Sequence, residues 1–134
     1  MSAIVLSDCS VKVDPCEPNV FVLCSPCSGW IFSLDEKNWR IILDQFERNF
    51  YEGNELRWKI CPILLDREWC SPFYFNQEFK EDNDGKCQVY LKINRVFYGP
   101  RGDVQEHANV VQLTEADVCI LKEFINECTK PETD

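Results

Sequence analysis

The sequence has one histidine, one methionine and five glycines in 134 residues, and no run of 18 uncharged apolar residues. Each scarcity excludes something. Without a long apolar run, no membrane-spanning helix is expected. The few glycines form no GxGxxG, no Walker loop and no GxSxG, so phosphate-cradling and nucleophile-elbow chemistry are not expected. The lone histidine, His107, follows Glu106 in a polar stretch with no recognisable nucleophile or orienting partner nearby, and it reads as an exposed loop residue. Carboxylates are scattered or sit in solvated runs such as Glu81-Asp82-Asn83-Asp84. An enzyme is not expected, nor is a cofactor. Basic residues are also short: 14 Lys and Arg stand against 23 Asp and Glu, for a net charge of −9. Residues 1–52, 53–84 and 85–134 are each net acidic. A surface that is basic throughout is therefore excluded, and non-specific attraction to phosphate backbones is penalised. The start, Met1-Ser2-Ala3-Ile4-Val5, lacks the basic and long apolar regions of a secretory signal, which points to an intracellular setting.

What is present is enough to build a core: 45% hydrophobic and 13% aromatic residues. Nine cysteines accompany them, an odd number. In a secreted chain they would read as four disulfides and a free thiol; in an intracellular one they read as small buried hydrophobes. Cys24-Ser25-Pro26-Cys27 has the spacing of half a zinc site or of a redox pair. No second CxxC completes it, and the pair falls in a hairpin turn rather than at a helix start, so structural thiols are expected and no metal.

Along the chain, short β-rich runs alternate with turn residues through Ile4-Val5-Leu6, Val11-Lys12-Val13, Val20-Phe21-Val22-Leu23 and Trp30-Ile31-Phe32. From Asp35, a plausible N-cap, the period changes to that of a helix with Trp39, Ile42, Leu43 and Phe46 on one face, ending near Gly53. The order then repeats. Arg57-Trp58-Lys59-Ile60, Ile63-Leu64-Leu65, Phe73-Tyr74-Phe75, a long alternating run from Val89 to Tyr98 and a returning Val110-Val111 lead to a second helix. That helix opens on Thr114-Glu115-Ala116-Asp117, a capping-box pattern with Asp in the last place, and carries Val118, Leu121 and Ile125. Aligned without a gap, Phe32, Leu34, Trp39, Ile42 and Phe46 fall on Val111, Leu113, Val118, Leu121 and Ile125. The spacing predicts an α+β protein of two β-β-β-β-α units, a divergent one over 1–52 and a second over 53–130, forming one compact domain. Trp39 and Phe46 are large for a helix that covers one small sheet. The helix over 35–50 is therefore expected to meet the helix over 115–128, or another chain in a homodimer.

The run Val89-Tyr90-Leu91-Lys92-Ile93-Asn94-Arg95-Val96-Phe97-Tyr98-Gly99-Pro100-Arg101-Gly102, with the Leu113-Thr114 entry and the helix to Ile125, resembles the single-stranded-DNA-binding domain of the transcriptional positive cofactor four family. Phe32-Ser33-Leu34-Asp35-Glu36-Lys37-Asn38-Trp39 is similar to that family's helix entry as well, with Val118 at the equivalent Trp position in the second half. Related β-β-β-β-α units occur in the Whirly and purine-rich-element-binding families. The resemblance implies curved antiparallel sheets packed on paired helices, with the tandem repeat supplying both units as an internal pseudo-dimer. It also implies binding of single-stranded DNA or RNA on a sheet surface, a role in transcription or replication, a nuclear setting and transcription proteins as partners. It places Phe97 where that family carries a base-stacking aromatic and Lys86 on a basic position. Asn94 and Gln88 stand where the family is basic.

Strand 89–98 has an apolar parity (Val89, Leu91, Ile93) and a mixed one (Tyr90, Lys92, Asn94). The mixed face, with Arg95, Phe97, Tyr98 and Arg101 near its end and Lys86 before it, is the candidate nucleic-acid surface: aromatics stack on bases and cations follow the backbone. A solvated sheet face with cross-strand aromatic packing is the other reading. Trp58 and Lys59 form a second basic-aromatic candidate, with Trp58 in the core as its alternative. Against nucleic-acid binding stands an acidic protein-interaction or nucleic-acid-mimic module that keeps the fold.

Overall fold

The computed structural model describes residues 3–27, 29–52, 60–65, 73–81, 83–85 and 87–129. Four short strands come first: β1 (Ala3–Val5), β2 (Ser10–Val13), β3 (Val20–Ser25) and β4 (Gly29–Asp35). Each pairs antiparallel with the next, giving a sheet in chain order. Local chemistry sets the turns. The Asp14 carboxylate accepts the N–H groups of Cys16 (2.8 Å) and Glu17 (3.2 Å), and Asn19 adopts φ 61, a left-handed conformation that Asn tolerates. Asp35 then starts α1 (Glu36–Glu52) by accepting the Asn38 N–H at 3.3 Å.

The second unit repeats the order. β5 (Ile60–Ile63), β6 (Phe73–Glu81), β7 (Cys87–Tyr98) and β8 (Val104–Gln112) form another antiparallel sheet in chain order, followed by α2 (Glu115–Cys128). Thr114 caps α2 with a complete capping box. Its hydroxyl oxygen accepts the Asp117 N–H at 3.1 Å, and the Asp117 carboxylate accepts the Thr114 N–H at 3.0 Å. The α+β class with two β-β-β-β-α units is the architecture observed. Residues 53–59 and 66–72 lie outside the described part, and with them Trp58, Lys59 and the helix end expected at Gly53.

All ten repeat positions aligned in the sequence are buried, from Phe32, Trp39 and Phe46 at 0% exposure to Val111 at 3%. The two units share a single core. Phe21 of β3 meets Phe124 of α2 edge to face (5.8 Å between ring centroids), and Phe32 of β4 meets Phe75 of β6 (5.0 Å). The helices lie against each other, with Lys122 of α2 bonded to Asp44 (3.0 Å) and Glu47 of α1. Polar contacts across the units are buried too: Asn49 of α1 donates to Gln77 of β6. The turn after β1 grips the second unit at its strand–helix junction. There the Asp117 carboxylate accepts both the Ser7 N–H (3.1 Å) and the Ser7 hydroxyl (3.0 Å), and Asp8 accepts the Gln112 N–H (2.9 Å). Among the described residues, no helix is long and apolar enough to cross a membrane.

Cys9 sits in this junction at 2% exposure. Burial, reinforced by the charges of Asp117 and Asp8 and by Cys24, pushes its thiol up to about 12. Cys16, Cys27 and Cys119 are exposed. A thiol-alkylating reagent at neutral pH is expected to label these three and to spare Cys9 until the chain is unfolded. Mass mapping of the labelled peptides checks this, and equal labelling of Cys9 in the folded protein would contradict its burial.

Candidate nucleic-acid interface

The β7–β8 hairpin outgrows its sheet. Among the described residues β6 begins at Phe73, opposite Arg95, and beyond that point β7 and β8 pair only with each other, up to Tyr98 opposite Val104. The arm closes with a Gly99 N–H to Asp103 C=O bond of 2.7 Å and a Gly102 N–H to Gly99 C=O bond of 3.0 Å. Gly102 takes φ +79 there, the left-handed residue that follows a type I turn with Pro100 in its second place. Residues 101–108 are exposed throughout. The corresponding hairpin of the first unit, β3–β4, turns at residues 25–29 and carries no such extension.

The register is unbroken along β7, so its side chains alternate strictly between two faces. Val89, Leu91 and Ile93 face the core, and the same parity continues through Arg95 and Phe97. Tyr90, Lys92, Asn94 and Tyr98 lie on the opposite face. This corrects the expectation that Arg95 and Phe97 share a surface with Tyr90, Lys92 and Tyr98. Both belong to the inner face, which stays inward-facing in parity but loses its cover where the arm leaves the core. His107 is likewise not in a loop. It is an exposed β8 residue paired with Arg95, because the last strand begins at Val104 rather than at Val110.

On the uncovered inner face, five side chains from both units form a continuous row. Trp30 of β4, 52% exposed, meets Phe73 of β6 edge to face at 6.3 Å. The Arg95 guanidinium lies 5.5 Å from the Phe73 ring centre and 4.5 Å from that of Phe97. Phe97 in turn meets the His107 ring at 5.2 Å. Arg95 is therefore held by cation–π contacts on two rings, a geometry that suits a planar guanidinium. Among the described residues no carboxylate pairs with Arg95, Lys92 or Arg101, whereas Arg40, Lys80 and Lys122 are bound to Glu36, Glu78, and Asp44 with Glu47. Cations without carboxylate partners thus stand on and around the long hairpin, while several of the others are neutralised locally.

The outer face holds the remaining candidates. Tyr74 is 62% and Tyr98 79% exposed; Tyr90 is half-buried with the Lys80 ammonium 5.1 Å from its ring centre. Lys92 stands between Asn76 and Val110, and Asn94 donates to Glu106 at 2.6 Å. Arg101 is exposed at the tip of the arm. Lys86, Trp58 and Lys59 lie outside the described residues. Sequence reasoning missed Trp30 and Phe73 as site residues. The period-two parity of Phe73-Tyr74-Phe75 was the available signal for Phe73, but nothing local announced its meeting with Trp30.

No protein-family model, no curated protein and no solved structure matches this chain.

Proposed function

We propose that the chain binds single-stranded nucleic acid along the row Trp30, Phe73, Arg95, Phe97 and His107, and acts in transcription or replication. The observation that carries this reading is the row itself: exposed and half-exposed rings contiguous with a guanidinium that has no carboxylate partner among the described residues, on a sheet surface open to solvent. Rings of this kind stack on bases of any sequence, while Arg95, helped by Lys92 and Arg101 nearby, meets phosphates. A duplex, with its bases stacked internally, offers these rings far less. The resemblance of residues 89–125 to the transcriptional positive cofactor four family supports the same reading and suggests a nuclear setting.

The test is fluorescence anisotropy of a labelled 20-mer, single-stranded and duplex, across a salt series. Single-strand binding is expected to dominate and to weaken as salt rises, by about 0.7 in the log–log slope for each phosphate neutralised. Phe97→Ala and Trp30→Ala are each expected to weaken it by about 1–3 kcal/mol, the usual worth of a stacked base. Absence of binding at low salt would overturn the proposal. The second reading, an acidic protein-interaction or nucleic-acid-mimic module, rests on the net charge of −9 and would then take its place.

A further inference from the structure

The free edge of β8 has the backbone pattern of an interface. Leu113 donates its N–H to Val89 C=O (3.2 Å) and Gly99 donates to Asp103 C=O (2.7 Å), and both pairs lie on the single register that joins β7 to β8. Hydrogen-bonded and non-hydrogen-bonded pairs alternate along an antiparallel ladder. The odd-numbered residues of β8 therefore bond to β7, and the even-numbered ones, Val104, Glu106, Ala108, Val110 and Gln112, turn their N–H and C=O groups outward. Among the described residues only the last is occupied: the Gln112 N–H is held by Asp8. The rest of the edge is exposed, with Val104 at 64% and Val110 at 39%. Of the devices that usually protect an edge, β8 holds no lysine, no proline and no register shift, and Glu106 is its single charged residue.

We propose that β8 is a dimerisation edge, on which a second copy of this chain pairs antiparallel about Ala108 and joins the two second-unit sheets into one. The edge is self-complementary in this register. Ala108 pairs with Ala108 of the partner subunit through the outward N–H and C=O groups of both, and Glu106 and Val110 fall opposite the partner's Val110 and the partner's Glu106. No like charges oppose each other. On the outer face Lys92 lies beside Val110, so each Glu106 gains a lysine of the other copy one strand further on. A twisted antiparallel pairing of this kind leaves the aromatic row on the opposite face uncovered. The inference does not depend on the proposed nucleic-acid binding.

Sedimentation or light scattering of the reduced protein, up to about 100 µM, is the test. A mass near twice the monomer is expected. Because each copy is strongly acidic, the dimer should tighten with added salt, opposite to the trend for nucleic-acid binding. Ala108→Pro removes an outward N–H that β7 does not use, and proline is tolerated at such edge positions. It is expected to give a monomer with unchanged circular dichroism. Val110→Glu places a carboxylate opposite the partner's Glu106 and should do the same without any backbone change. A wild-type monomer at the top concentration, or a dimer that both variants leave intact, overturns the proposal.

Discussion

Trp39→Ala is expected to cost about 3–5 kcal/mol of folding stability, the range for truncating a fully buried large aromatic. The indole is 0% exposed and stacks on Phe32 at 5.2 Å, and its N–H donates to the Phe21 carbonyl at 3.0 Å. Those two partners reach into the other unit, Phe32 to Phe75 and Phe21 to Phe124. Trp39 therefore stands where both sheets and both helices converge, and its removal opens a cavity that no single element can collapse to fill. It also removes the indole's bond to the Phe21 carbonyl, which keeps its place opposite Leu34 in the β3–β4 ladder. Trp39→Phe separates the two contributions: it retains a ring while losing the donor, and should cost about 0.5–1.5 kcal/mol beyond the smaller ring's packing loss. Urea unfolding followed by circular dichroism measures both variants. A loss below about 1 kcal/mol for Trp39→Ala would show that the shared core is wrongly placed.

The second large effect is expected at Asp117. Its carboxylate accepts from Thr114 N–H, Ser7 N–H and the Ser7 hydroxyl while only 2% exposed, so it both caps α2 and ties the first unit to the second. Asp117→Ala removes all three bonds and is expected to cost about 2–4 kcal/mol, more than the ~1 kcal/mol of an ordinary cap because bonds to a charged acceptor that tie the two units together are lost with it. A pH dependence follows. Burial alone would raise the Asp117 pKa, but the hydrogen bonds from Thr114 and Ser7 outweigh it and hold the carboxyl below its usual 3.8. A group depressed in the folded state stabilises above its unfolded value and loses that contribution as pH falls through the folded value. The wild type should therefore shed this stability below about pH 4, and the variant should show a flatter acid limb. Parallel acid limbs for the two proteins would contradict the assignment.

The first unit solves the same capping problem with the charges exchanged. Asp35 and Asn38 stand where the second unit has Thr114 and Asp117, and Asp35 accepts both the backbone N–H and the side-chain amide of Asn38, the latter at 2.7 Å. One carboxylate serves each helix start, at the cap in one unit and three residues later in the other. Such conservation of chemistry beneath changed sequence is why the repeat was legible at all. Strand and helix periods, caps and the five paired apolar positions are local signals, and every one of those positions is buried.

Placement of the candidate site was less legible, for a physical reason. Parity along 89–93 identifies the core face because packing makes it apolar. Past Ile93 the cover ends, selection for apolarity lapses, and Arg95 and Phe97 no longer advertise the face they belong to. His107 failed to read as strand because Glu106-His107-Ala108-Asn109 has little intrinsic β preference; pairing with β7 holds it extended. The meeting of Trp30 with Phe73 depends on how the two sheets pack, which no local window contains.

The long arm belongs to one unit only, and this gives the molecule a direction. Two identical units about a two-fold axis present a linear ligand with equivalent starts, so either orientation of a nucleic-acid strand fits alike. Here a strand laid along the row meets an indole from the short hairpin at one end and an imidazole on the long hairpin at the other. Under the proposed binding, its 5′ and 3′ ends are then distinguishable, and the tandem repeat would read the polarity of the strand.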